Sequence, residues 1–388
     1  MNIAVLQESA PGETRVALVP THIPGLIKMG AEVLVEKGAG FVAGYPDDEY
    51  SDKGAQLTDR ESALKKADIL LTVRSLAAGG FGNDGNLAPL KSGATIVGQL
   101  NPYESHPSFD ALEAGGYTAF ALEKIPRITR AQSMDVLSSQ ANLAGYRSVL
   151  LGALALSKIF PMMMTAAGTV VPARVFVVGV GVAGLQAIAT AKRLGAVVSA
   201  YDIRPAVKEQ VESLGARFIE LDLPTTDDTE TSGGYAQEMD EEFYRKQREK
   251  MTEAVASADV VITTAAVPGK PAPTLVTREM VAAMHPGTVV VDLAADRGGN
   301  CELTSPGETV DADGVKILGP VNVAAGIAHH ASQLYSKNIT SFLETIISEG
   351  QLNINRDDEI VAATLVTESP AAESPDNNDN NDNNKESN

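Results

Sequence analysis

The first third of the chain alternates short apolar runs with polar, helix-patterned stretches. NIAVL, AEVLVE, ADILLTVR, ATIVGQL and YTAFALE are aliphatic and β-branched segments bounded by turn formers, and they read as strands of a parallel sheet. A long stretch from about Met134 to Ser157, MDVLSSQANLAGYRSVLLGALALS, follows and is expected to form an amphipathic helix. A second series opens at Arg174 and continues through VVSAYD, ARFIELD, DVVITTA, TVVVDLA and VKILG. Strands that alternate with helices at this spacing call for right-handed crossovers. The pattern therefore predicts an α/β chain of two doubly wound, Rossmann-like domains with a cleft between them.

The segment AAGIAHHASQLYSKNITSFLETIISEG has an apolar period near 3.6 and comes after the last strand of the second series. It is expected to cross back to the first domain. That domain would then comprise residues 1–133 with about 323–366, and the second domain residues 134–322. From about Thr367 the sequence becomes ESPAAESPDNNDNNDNNKESN, with almost nothing to bury, so 367–388 reads as a disordered acidic tail.

With 388 residues, 44% of them hydrophobic, the chain has material for two cores. No apolar run approaches the roughly 18 to 20 residues that a spanning helix needs. The start, MNIAVLQESAPGETR, lacks the basic and long apolar parts of an export signal, and Cys301 is the only cysteine. A reducing cytoplasm is the expected setting. The net charge of -19 is concentrated in two places: residues 220–242 hold nine acids and no Lys or Arg, and residues 357–388 hold nine against Lys385. The remainder is near neutral, and no cluster of Lys and Arg suits nucleic acid.

One short stretch carries chemistry. In FVVGVGVAGLQAIATAKRLGAVVSAYD a strand ending at Val178 meets a helix beginning near Val182, with Gly179, Gly181 and Gly184 between and inside them. That spacing suits a dinucleotide: a tight turn, a backbone that approaches the pyrophosphate, and close helix–strand packing. Asp202, at the end of the next strand, stands where a carboxylate would accept the adenosine ribose hydroxyls. It also repels a 2′-phosphate, which favours NAD(H), while Arg204 two residues on keeps NADP(H) open. A glycine-rich turn with a capping acid is the bland alternative.

RITRAQSMDVLSSQANLAGYRSV, the block from Phe160 to Asp202, SGGYAQEM and ITTAAVPGKPAP resemble the NAD(H)-binding α-subunit family of proton-translocating NAD(P) transhydrogenases. ESAPGETRVALVP is similar to the signature which that family shares with alanine dehydrogenase, built on the same two domains. The resemblance covers about residues 1–350. It implies that Arg127, Gln132, Asp135 and Ser138 hold the nicotinamide and its ribose, that Gly234 and Tyr235 belong to a mobile lid over 222–242, and that Val182, Ile203 and Ala265 line the nucleotide's path. Without it, Arg127 reads as a surface residue and Ser133 or Asp135 as a helix cap. The lid segment agrees with its composition, since the acidic run is too polar to bury and Gly233-Gly234 supply a hinge.

The resemblance also separates two activities. Alanine dehydrogenase moves protons and needs acid/base groups beside the nicotinamide. Its pattern matches here at Arg15 and Asp296, but its lysine and histidine positions fall on Thr72 and Asn101. Hydride exchange between two nicotinamides needs no such pair. The expected function is therefore an oxidoreductase subunit that binds NAD(H), with NADP(H) on a partner subunit and membrane-spanning subunits completing the complex. A homodimer on the cytoplasmic face of the membrane follows from the same resemblance. An alanine dehydrogenase and a non-catalytic nucleotide sensor are the alternatives. Met162-Met163-Met164 is expected in the core or at a domain contact, His329-His330 diverge on a helix, and no metal is expected.

Overall fold

Both sheets grow from the apolar runs. The computed structural model describes residues 1–74, 90–103, 114–220, 241–267 and 269–367, with Phe109 and Leu112. The chain divides into two compact units, residues 1–126, 130–134 and 336 onward, and residues 127–129 and 135–335. It passes from the second unit back to the first within the helix Ala328–Ile346.

In the first unit, β1 (Asn2–Val5), β2 (Glu32–Glu36), β3 (Gln56–Thr58), β4 (Ile69–Leu71), β5 (Thr95–Gly98) and β6 (Thr118–Ala121) are parallel, in the order β6-β5-β4-β1-β2-β3. Winding outward from β1 in both directions makes the sheet doubly wound. Ala4, Leu34, Leu70, Ile96 and Ala119 enter one apolar layer with Ala63, Leu64 and Leu112. Alternation sends Ile3, Val33, Ile69, Val97 and Phe120 to the other face. There Phe342 packs on Phe120 with ring centroids 5.3 Å apart.

A further strand, Leu365–Thr367, runs antiparallel to β6 at the sheet edge. Thr367, expected to open the acidic tail, is instead the buried last residue of this strand, its hydroxyl donating to Tyr117 O at 3.0 Å. The rest of that tail, and 222–240 of the expected lid, lie outside the described residues.

In the second unit a small hairpin of β7 (Met163–Thr165) and β8 (Gly168–Val170) precedes the main sheet. That sheet contains β9 (Arg174–Val178), β10 (Val197–Tyr201), β11 (Arg217–Phe218), β12 (Val260–Thr263), β13 (Val289–Asp292), β14 (Thr309–Ala312) and β15 (Val315–Leu318), in the order β11-β10-β9-β12-β13-β15-β14. All pairs are parallel except β14 with β15. Val175 and Val177 feed one core with Ala187, Ile188 and Val149. Phe176 and Val178 feed the other, with Met251, Val255 and Met280. Both faces are thus covered, which is why these strands are apolar throughout.

Two expectations need correction. Met162 and Met164, 60% and 76% exposed, are not in a core: the hairpin stands outside the main sheet, and among the described residues no second layer covers it. The long helix runs Val136–Ala155, but its buried positions include Gln140, Gly145, Ser148 and Gly152, while Leu154 is 86% exposed. Small residues take the inner side because the next helix, Val182–Arg193, comes very close. A Cβ on Gly145 would sit 2.1 Å from Ala183 O.

Candidate functional site

The glycine turn has the geometry its spacing calls for. β9 stops at Val178 and the helix begins at Val182. Gly179 adopts φ 93°, left-handed backbone that disfavours a side chain, and a Cβ there would also meet Thr264 Oγ1 at 2.8 Å. Gly184 packs so tightly on the strand end that a Cβ would lie 2.0 Å from Gly179 O. Gly181 differs: among the described residues nothing stands within 4 Å of its Cβ position, so the space before the helix is open to them. Gly181 is the N-cap, no side chain caps this helix and its first turn has no acid. Its leading N–H groups and positive dipole end are of the kind that hold an anion, and half-buried Val182 is the first residue of that turn.

Asp202 follows β10 and is 8% exposed. Its Oδ2 accepts the Val180 N–H at 2.6 Å, and its Oδ1 accepts the Arg204 N–H at 2.9 Å. The Arg204 guanidinium then closes on both oxygens, Nε to Oδ1 at 2.9 Å and Nη2 to Oδ2 at 3.0 Å, with Nη2 3.2 Å from Val180 O. The turn, Asp202 and Arg204 form one connected group. Ile203 between them is half-buried.

The opposite wall comes from the residues after β12. Thr264 Oγ1 donates to Gly179 O at 2.9 Å. Ala265, half-buried, has both backbone polar groups bound by Asn300: its N–H donates to Oδ1 at 2.9 Å and its C=O accepts from Nδ2 at 2.8 Å. Neither Thr264 nor Asn300 stands out in the sequence. Their contacts join residues 35 to 85 positions apart, and the only local signal is the Gly298-Gly299 pair that precedes Asn300.

The remaining predicted residues fall differently. Asp135 is the N-cap of Val136–Ala155, where Oδ1 accepts the Ser138 N–H at 2.8 Å and Oδ2 the Ser138 hydroxyl at 2.6 Å. Of the two cap candidates, Asp135 takes the position. Arg127 is exposed in the second unit, and Gln132 is exposed on the short turn Thr129–Met134 in the first. Gly234 and Tyr235 lie outside the described residues.

Of the dehydrogenase-type positions, Arg15 is buried in a bidentate pair with Glu13, both contacts at 2.7 Å. Buried Thr72 donates its hydroxyl to Glu8 Oε1 at 3.1 Å, and Glu8 also accepts the Val73 and Arg74 N–H groups. Asn101 has φ 52° and donates its N–H to Glu123 Oε1. Asp296 is exposed on a single turn, Ala295–Arg297. Cys301 is buried, which pushes its thiol up to about 11.

Among the described residues no helix is long and apolar enough to cross a membrane, and no cluster of three or more His, Cys, Asp or Glu is arranged around a metal position. The sequence matches the family described as alanine dehydrogenase/PNT, its N-terminal domain over residues 4–144 and its C-terminal domain over residues 148–372. It is 49% identical to an NAD(P) transhydrogenase alpha-subunit chain of Rhodospirillum rubrum, over 97% of this chain and 98% of that protein. The fold is similar to the crystal structure of a transhydrogenase from Sinorhizobium meliloti, with a TM-score of 0.83 and 45% identity over 95% of this chain and 99% of that one. An alanine dehydrogenase of Halomonas elongata is more distant, 30% identical over 94% of this chain and 92% of its own. Two matched domains and relatives aligned over nearly the whole length place this chain in the alanine dehydrogenase/PNT family.

Proposed function

We propose that this chain is the NAD(H)-binding subunit of a proton-translocating NAD(P) transhydrogenase. It would offer NADH to NADP+ held by a partner subunit, while membrane-spanning subunits couple the exchange to proton passage. Attachment to the cytoplasmic membrane face and assembly as a homodimer belong to the same proposal, on the strength of the family resemblance.

A dinucleotide fits the residues present. The open space at Gly181 and the uncapped helix behind it suit a pyrophosphate, and buried Asp202 suits the diol of an adenosine ribose. When bound, the reduced nicotinamide supplies a hydride, so that NADH and NADP+ become NAD+ and NADPH with no proton exchanged at the reacting carbons. The chain's own residues then need only bind, orient and exclude water. In this reading Arg127, Gln132, Asp135 and Ser138 orient the nicotinamide and its ribose. Gly234 and Tyr235 cover the nucleotide, and Val182, Ile203 and Ala265 flank it.

The observation that carries the choice over amino-acid oxidation is the pair Thr72 and Asn101. A dehydrogenase needs a lysine and a histidine there to move protons, whereas these residues contribute hydrogen bonds to Glu8 and Glu123. The deciding experiment assays the purified chain with NADH under two conditions. Exchange with NADP+ should begin only when an NADP(H)-binding subunit is added, and pyruvate with ammonium should give no turnover. Rapid reduction of pyruvate by the isolated chain would transfer it to the alanine dehydrogenases. Tight NADH binding with no exchange in the presence of the partner would mark it as a nucleotide sensor.

A further inference from the structure

The carboxylate of Asp292 is fully buried at the end of β13, and four donors surround it. Oδ1 accepts the Thr263 hydroxyl at 2.9 Å and the Ala294 N–H at 3.0 Å; Oδ2 accepts the Cys301 N–H at 2.9 Å and the Thr304 hydroxyl at 2.7 Å. The loop 293–304 is thereby folded around one side chain. Its turn passes through Gly298 and Gly299, at φ 96° and 83°, and a Cβ on Gly299 would press on Asp292 Oδ2 at 2.9 Å. What this arrangement delivers is Asn300, held with no solvent exposure at the far side of β12.

Asn300 acts as a clip. Beyond its two bonds to Ala265, Nδ2 donates to Pro273 O at 2.8 Å, and its own carbonyl accepts the Leu275 and Val276 N–H groups at 2.8 and 2.9 Å. It therefore closes the loop 265–276 at both ends. The peptide at 264–265 is gripped twice, by Thr264 on Gly179 from the β9 side and by Asn300 from the β13 side. β12 has ended, so no ladder holds these groups, and the side-chain amide substitutes for the missing strand.

Strand order says which part of a dinucleotide this wall meets. β10 flanks β9 on one side and carries Asp202, while β12 flanks it on the other. In a doubly wound sheet the dinucleotide lies across that reversal, one mononucleotide half on each side. With Asp202 on the adenosine side, Ala265 falls to the nicotinamide side.

We infer that Asn300 is a positioning residue for the nicotinamide half of the dinucleotide, acting by fixing the Ala265 backbone. The inference rests on the nucleotide-binding reading of the Gly179–Gly184 turn. Removing the amide leaves the β9–β10 side untouched but frees the peptide after Thr264, so the two halves of the ligand should respond differently.

The test uses the full chain with two probes, NADH followed by its fluorescence and AMP followed by competition. Asn300→Ala should weaken NADH by roughly tenfold, the equivalent of one or two lost hydrogen bonds, while AMP stays within about twofold of the parent. Equal losses for both probes, or no loss of NADH, would overturn the inference. Asn300→Ser, whose hydroxyl leaves room for a water, carries the same test if the alanine variant does not fold. A parent chain that binds neither probe would instead refute the nucleotide reading.

Discussion

Arg204 covers the carboxylate of Asp202 edge-on, and with the two backbone N–H groups it brings each oxygen to two accepted hydrogen bonds. An ionised carboxylate has about four lone-pair sites, so none remains for a ribose hydroxyl. The Val180 and Arg204 N–H groups are fixed by the backbone. Only the guanidinium can leave, so on the proposed nucleotide-binding reading Arg204 would be a displaceable cover over the ribose subsite. Arg204→Ala is then expected to bind NADH a few-fold more tightly, because one competing charge-assisted pair is gone. Asp202→Ala should weaken NADH about tenfold or more and narrow its preference over NADPH. Fluorescence titrations of both variants decide the matter: weaker binding by Arg204→Ala would make the guanidinium a ligand contact and not a cover.

Gly181 and Gly184 should separate binding from folding. A methyl at Gly184 would be driven into Gly179 O, a backbone atom, and relief requires the helix Val182–Arg193 to move off β9. Gly184→Ala is expected to cost about 1–3 kcal/mol or more, as overpacking of a tight contact does, and to lower the melting temperature. At Gly181 the methyl meets only open space, so Gly181→Ala should melt like the parent. That space is where a pyrophosphate would lie, and NADH binding should fall sharply. Parallel loss of stability in both variants would contradict this division of labour.

His22 is expected to make the first unit sensitive to mild acid. Its Nδ1 lies 2.7 Å from Ser336 Oγ, which also accepts the Val19 N–H at 3.0 Å. Burial, and then the charge of Lys337, hold the imidazole below its ordinary value of 6.5. Above pH 6.5 folded and unfolded His22 are both neutral and this contribution to stability is intact. As pH falls, the unfolded chain takes the proton first, and stability is lost down to the lowered folded-state value. His22→Asn is expected to reduce the drop in melting temperature between pH 7.5 and 5.5 relative to the parent. An identical drop in both proteins would remove His22 as its source.

The strands and the glycine turn are legible in the sequence because steric rules act there over a few residues. Val175–Val178 must be apolar when both faces are covered, and Gly179 and Gly184 must lack a side chain where backbone meets backbone. Asp202 is legible by distance along one βα unit. Asn300 and Asp292 are not, because their partners at 263, 265, 273 and 301 meet only once β12 and β13 are paired. The edge strand Leu365–Thr367 is too short to show a period beside an acidic tail. The exposed methionines and Leu154 mislead for the opposite reason: apolarity predicts burial on average, while the covering layer is a property of the fold.

Cys301 offers a chemical probe of the same inner network. Its N–H is bound to Asp292 and its residue follows Asn300, so a group added to the sulfur would disturb the clip on Ala265. Burial protects it, and with the thiol pushed up to about 11, roughly one molecule in a thousand carries the thiolate at pH 8. The folded chain is therefore expected to resist iodoacetamide at pH 8 for hours, yet take up one equivalent rapidly in denaturant, as read by intact mass. Rapid labelling of the native protein would mean that the loop 293–304 opens on the timescale of the reagent. In that case NADH binding should be lost in step with labelling, whereas AMP binding should persist, because the modified loop serves only the β12 side.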